Sequence, residues 1–172
     1  MRNGYRTLED KPYESMYMYG ETIIDHPVER VWSHALNIGG WMSAHRLETL
    51  DGEPGKVGFF ERVFPKGIGA EVPLAHYHLY GIAELIPLKL IALEVFPEEG
   101  GSYGSTAPRL SFDYILLTDL GDRTKVVFAM VDVTLRKGDQ EFRERQRREH
   151  EEGRERLEPY FDNLKRLIEG AN

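Results

Sequence analysis

Between residues 46 and 135 the chain alternates apolar-rich segments with turn chemistry, and that alternation limits its fold more than any other feature. Strands are expected near 46–51, 56–64, 75–85, 89–96, 109–119 and 123–135. The breaks between them are Asp51-Gly52-Glu53-Pro54-Gly55, Pro65 to Pro73, Ile86-Pro87, Pro97 to Pro108, and Leu120-Gly121-Asp122. Connections this short join antiparallel neighbours, because a parallel crossover needs a dozen or more residues. In 110–116, Leu110, Phe112, Tyr114 and Leu116 alternate with Ser111 and Asp113. The expectation is a packed face carrying the first set and a wet face carrying the second.

Helices bracket this block. A first strand, Met16 to Ile24, runs into Asp25, a helix N-cap residue, and Pro27, whose missing N–H costs little at a helix start. Val28, Val31, Trp32, Ala35 and Leu36 then recur at helical spacing, so a short helix is expected over 26–37, broken by Gly39-Gly40. A second, over about 40–45, carries Trp41, Met42 and His45. The chain closes with a helix expected over 139–169. Stepping 100° per residue aligns Phe142, Gln146, Glu149, His150 and Gly153 with Leu157, Tyr160, Phe161, Leu164, Leu167 and Ile168. Pro159 removes one helical hydrogen bond and is expected to bend the axis. Residues 1–15 read as a polar arm and 16–172 as a single domain, the size range in which one core suffices.

Composition narrows the function classes. The formal charge is −7, which disfavours nucleic acid as a partner. There is no cysteine, so disulfides, thiolate metal sites and cysteine nucleophiles are excluded. No apolar run approaches the roughly 20 residues of a membrane span, and Met1 to Glu14 lacks the apolar core of a secretory signal; a cytoplasmic protein is expected. A nucleophile elbow, a P-loop, a dinucleotide fingerprint and H-E-x-x-H are all missing from the sequence.

The order of elements is similar to the helix-grip fold of the START/polyketide-cyclase superfamily, also called SRPBCC, to which birch-pollen allergens belong. Ile24-Asp25-His26-Pro27-Val28-Glu29-Arg30-Val31-Trp32 resembles that family's strand-to-helix junction. Val57-Gly58 resembles its strand-opening Val-Gly, and Ile86-Pro87-Leu88-Lys89-Leu90 its Pro-containing turn. The resemblance spans 16–169. It implies an α+β fold: a seven-stranded curved antiparallel sheet wrapped around a long C-terminal helix, two short helices after the first strand, and an interior cavity. Members of the superfamily carry lipids, sterols and plant hormones, cyclise polyketides, or serve as interaction modules, and no catalytic residue is common to them all.

Several side chains are candidates for lining such a cavity. Phe60, Phe112, Tyr114, Phe128 and Met130 are expected on the strand wall, where plain packing explains them equally well. Trp41 and His45 are placed at the cavity's end, and Leu157 on the helix side. Gln146, Glu149 and His150 interrupt an otherwise apolar stripe, so that half of the helix either overhangs into water or offers polar anchors to a ligand. His76 and His78 share a strand face with Tyr80. Glu84 on the same alternation argues for a solvated face, unless a bulge at Gly81 reverses the parity. Facing inward, His76 and His78 with His150 or Glu149 would form a three-ligand zinc site with an open position. Asp132 continues the face of Phe128 and Met130; an inward carboxylate there would act as acid or base, and one near the strand end would reach solvent or Arg136. The loops 65–73 and 97–108, the latter with Tyr103, have the length and glycine content of lids.

Four readings follow. The first is a protein that takes up a small to medium hydrophobic or aromatic molecule without a cofactor. The second is a polyketide cyclase-like enzyme using His78, His150 or Asp132 for proton transfer. The third is a zinc-dependent hydrolase, and the fourth an interaction module with a collapsed pocket. A homodimer is compatible with all four.

Overall fold

A computed structural model describes residues 4–7, 14–42, 44–65, 78–96, 109–134, 144 and 153–170. Eight strands form one antiparallel sheet: β1 (Gly4–Thr7), β2 (Glu14–Ile24), β3 (Ala44–Asp51), β4 (Phe60–Pro65), β5 (His78–Ile86), β6 (Leu90–Phe96), β7 (Arg109–Asp119) and β8 (Thr124–Thr134). Their order across the sheet is β1-β2-β8-β7-β6-β5-β4-β3. Seven are the strands expected from the sequence. The eighth, β1, lies within the N-terminal arm and pairs with the start of β2, Gly4 opposite Tyr17.

Two short helices, α1 (Val28–Ala35) and α2 (Ile38–Trp41), connect β2 to β3, and α3 (Gly153–Glu169) follows the sheet. Pro27, not Asp25, occupies the cap position of α1, and no side chain caps it. The second short helix is earlier and shorter than expected. The Asn37 side chain accepts a hydrogen bond from the Gly40 amide at 3.2 Å and starts the helix there. His45 therefore falls in β3, at a register shift between Ala44 and Arg46, and not on a helix.

Leu157, Phe161, Leu164 and Ile168 recur at intervals of four, three and four along α3 and are all buried. This is the apolar stripe expected from the sequence, and each side chain contributes on the order of 2 kcal/mol by leaving water. The helix continues through Pro159. Its C-terminal carbonyl at Ile168 accepts a bond from the Arg30 guanidinium at 2.5 Å, which fastens α3 to α1. Residues 139–152 of the expected helix lie outside the described residues, apart from Glu144, which is helical.

The inner face of the sheet, which packs against the helices, carries Ile115 and Leu117 of β7, Val126 and Phe128 of β8, and Ile91 and Leu93 of β6. Phe112, Tyr114 and Leu116 point the other way, so the expected parity of β7 is inverted: Ser111 and Asp113 face the core and are buried. The segment offers apolar residues on both alternations, and local pattern cannot choose between them. Pairing decides, because Ile115 stands between Ile91 and Phe128 and shares their side. Phe60 is likewise displaced. Glu61 and Val63 of β4, with Phe59 just before it, form the buried alternation, while Phe60 is only half-buried and pairs with Gly81.

Candidate functional site

The inner face has two chemically distinct ends. At one, Trp41, Phe128 and Tyr160 meet edge to face, with ring centroids 5.3 Å apart for Trp41–Phe128 and 6.0 Å for the two pairs with Tyr160. The Trp41 indole N–H donates to the Ala35 carbonyl at 3.1 Å, which satisfies its one polar atom. Below this trio the core is apolar down to Ile24 and Ile168.

Toward the other end the inward positions turn polar. One register row crosses the sheet from Asp132 of β8 through Ser111, Val95, Tyr80 and Glu61 to Thr49 of β3. In the adjacent row, Asp113 stands between Met130 and Leu93. Ser111 is 7% exposed, Tyr80 7%, Glu61 5% and Asp113 0%. Among the described residues only Thr124 adds a further buried polar side chain, and its hydroxyl donates to the His26 carbonyl at 2.8 Å. With strands about 4.8 Å apart, Ser111 and Glu61, three strands removed, are about 14 Å apart.

Glu61, on this row, has a displaced acidity. Burial disfavours its charged form and pushes its carboxyl above the ordinary glutamate value, while a hydrogen bond from the Gly39 amide partly opposes that. A carboxyl so placed keeps a proton to higher pH than a surface glutamate, which suits proton donation as well as hydrogen bonding.

The sequence candidates fall into three groups. Trp41, Phe128 and Leu157 are buried in the core, and Met130 packs against it. Phe60, Phe112 and Tyr114 lie on the alternation opposite the buried one, so they do not share the inner face with Phe128. His78 and Asp132 are described by backbone alone. His78 stands opposite Val63, two residues before Tyr80, and Asp132 opposite Ser111. A bulge between Ile82 and Glu84 reverses parity and leaves Glu84 exposed; it falls just beyond Gly81, where the sequence suggested it. His76, Gln146, Glu149, His150, Tyr103 and both lid-like loops beyond Pro65 lie outside the described residues. Among the described residues no group of three or more His, Asp or Glu side chains is placed to hold a metal ion.

Sequence reasoning missed Glu61, Ser111 and Asp113, because nothing local marks a polar residue as inward when both alternations of its strand carry apolar neighbours. The only signal was indirect. Asp113 lies between two aromatic residues in mid-strand, a place where a solvated aspartate is poorly suited to a pleated sheet.

No family model matches the chain, and no curated protein sequence does. Solved structures do. Norcoclaurine synthase from Thalictrum flavum, in complex with dopamine and hydroxybenzaldehyde, superposes with a TM-score of 0.65 at 15% identity, covering 94% of this chain and 90% of that one. The Zhui aromatase/cyclase from Streptomyces sp. R1128 gives 0.59 at 15%, covering 90% and 96%. Ara h 8.0201 gives 0.58 at 12%, covering 91% and 99%. The chain has the helix-grip fold. At these identities the likeness extends to architecture and leaves the chemistry to the residues themselves. No helix among the described residues is long and apolar enough to cross a membrane.

Proposed function

We propose that this helix-grip protein binds a small to medium hydrophobic or aromatic molecule between the inner face of the sheet and the C-terminal helix, with its apolar part against the Trp41–Phe128–Tyr160 wall and its polar groups toward Tyr80, Glu61, Ser111 and Asp113. The carrying observation is the placement of those four buried polar side chains on two adjacent register rows next to an otherwise dry core. A core built for packing alone gains nothing from them, since each buried polar group costs about 1–3 kcal/mol if its partners are imperfect. Native mass spectrometry of freshly purified protein, followed by displacement of Nile red, tests this reading. A carried molecule or saturable one-to-one uptake supports it; neither, in a folded protein, sinks it.

A second reading, a polyketide cyclase-like enzyme, draws support from the raised pKa of Glu61 in its buried place on the row, because a buried acid that retains its proton is equipped to protonate a carbonyl or enol. With a reactive poly-β-ketone mimic, Glu61→Gln would then abolish turnover while uptake persists. Unchanged turnover in that variant removes Glu61 from any mechanism.

A further inference from the structure

β3 ends the strand order and, among the described residues, pairs with β4 alone. Register fixes its inward alternation: Leu47 stands opposite Val63 and Thr49 opposite Glu61. The partners one strand in are closed to water, Val63 at 2% exposed and Glu61 at 5%. Leu47 is 44% exposed, and Thr49 is exposed as well. Across one strand spacing of about 4.8 Å the inner face therefore passes from buried to open. Facing Leu47 is α2. Gly39 is buried there, and a β-carbon added to it would lie 2.8 Å from the Leu47 Cγ and closer still to both methyls. The leucine thus rests directly on the glycine, in space that any larger residue would take. The amide of the same glycine donates to the Glu61 carboxyl. α2 itself is fastened, by the buried Trp41 with its indole bonded to Ala35 and by the Asn37 cap on Gly40. The half-exposed leucine is the movable side of the contact.

We propose that Leu47 is the gate of a side entrance between edge strand β3 and α2, closing on Gly39 and leading to the Glu61 end of the pocket. The inference rests on the ligand-binding function proposed above and adds the route by which a ligand reaches Glu61. Leu47 can leave its seat cheaply, since it is already nearly half in water and turning its side chain breaks no backbone bond. Behind it, Glu61 is one strand away, at the position opposite Thr49. On the other alternation of the same strand, Glu48 pairs with Arg62 at 2.7 Å, which holds β3 on β4 while the inner contact opens. The moving part is therefore one side chain and not a fraying strand. A methyl at position 39 would hold the gate open, and a shorter side chain at position 47 would leave the seam uncovered.

Stopped-flow fluorescence of the full chain with Nile red tests the proposal by reading association and dissociation rates. Leu47→Ala is expected to raise both by about fivefold or more while the Kd moves by less than about twofold, because a gate changes the barrier and not the bound state. Gly39→Ala keeps the amide but displaces the leucine, and should act in the same direction. In the double variant the second substitution adds nothing, since Leu47→Ala vacates the space that the new methyl needs. Leu50→Ala, on the same strand and 40% exposed, leaves both rates at the parent's values. The chain has no cysteine, so Gly39→Cys with Leu47→Cys makes a pair that oxidation can lock. Uptake should then fall at least about tenfold and return with reductant. If circular dichroism shows Leu47→Ala unfolded, Leu47→Val replaces it with the same expected direction. Rates indifferent to position 47, or equally altered by Leu50→Ala, overturn the gate. So does a faster dissociation with association unchanged, which would make Leu47 a ligand contact. A folded parent that takes up no Nile red overturns the binding function and the entrance with it, whereas uptake at indifferent rates overturns the entrance alone.

Discussion

The two ends of the inner face belong to one sheet and differ in what they bury. Around Trp41, Phe128 and Tyr160 the wall is aromatic, and its one buried donor is bonded within the protein. Toward the other end, Asp113 and Ser111 of β7, Tyr80 of β5 and Glu61 of β4 are buried. The first end is what a folding core needs, and the second is where, on the function proposed above, a ligand's polar groups would lie.

Substitutions sharpen that contrast, and the largest effect belongs to the aromatic end. Phe128→Ala removes a buried ring from two edge-to-face contacts and is expected to cost about 3–5 kcal/mol in urea denaturation. Leu157→Ala, fully buried on α3, is expected to cost about 3 kcal/mol. A loss under about 1 kcal/mol at either site would mean that the wall is loosely packed. At the polar end the ranking of readouts reverses. Asp113→Asn keeps shape and is expected to change stability by about 1 kcal/mol while weakening ligand retention about tenfold. Equal damage to both, or to stability alone, would make Asp113 a structural residue.

Glu61 supplies a pH test. Its folded pKa lies above the ordinary glutamate value, so the folded chain holds that proton more tightly than the unfolded one. The resulting stabilisation is complete below the ordinary glutamate range and is lost as pH rises through the raised folded value. Glu61→Gln has no such loss, so its melting temperature relative to the parent should climb between pH 4 and pH 8. A variant less stable across the whole range would show that the Gly39 amide bond outweighs burial. The smallest effect is expected outside the inner face. Glu21, whose carboxyl is held below its ordinary value by the Lys125 ammonium at 2.8 Å, is exposed, and Glu21→Gln should leave the melting temperature unchanged.

Much of the fold was legible in advance. Turn chemistry at Asp51–Gly55, Ile86-Pro87 and Leu120–Asp122 marked the hairpins, and the α3 stripe appeared at Leu157, Phe161, Leu164 and Ile168 as spaced. Gly121 shows why turns read so well. It has φ of 90° beside Asp119, whose carboxylate accepts its amide, and that local geometry demands glycine whatever lies elsewhere. The site was far less legible. Phe60, Phe112 and Tyr114 were assigned to the inner wall, and Ser111 and Asp113 to water, each one residue out of phase with the sheet. A strand apolar on both alternations carries no internal sign of which side meets the helix.

By itself the sequence determined the antiparallel hairpins, the amphipathic closing helix and the acidic, cysteine-free chemistry, because these depend on neighbours within a few positions. Only the tertiary structure decided which face of β7 and β4 looks inward, where the bulge after Ile82 restores Glu84 to solvent, and that Glu61, Tyr80, Ser111 and Asp113 share adjacent rows. Those facts depend on pairing between strands far apart in the chain, and a shift of one residue in any pair exchanges core for surface without changing a single local propensity.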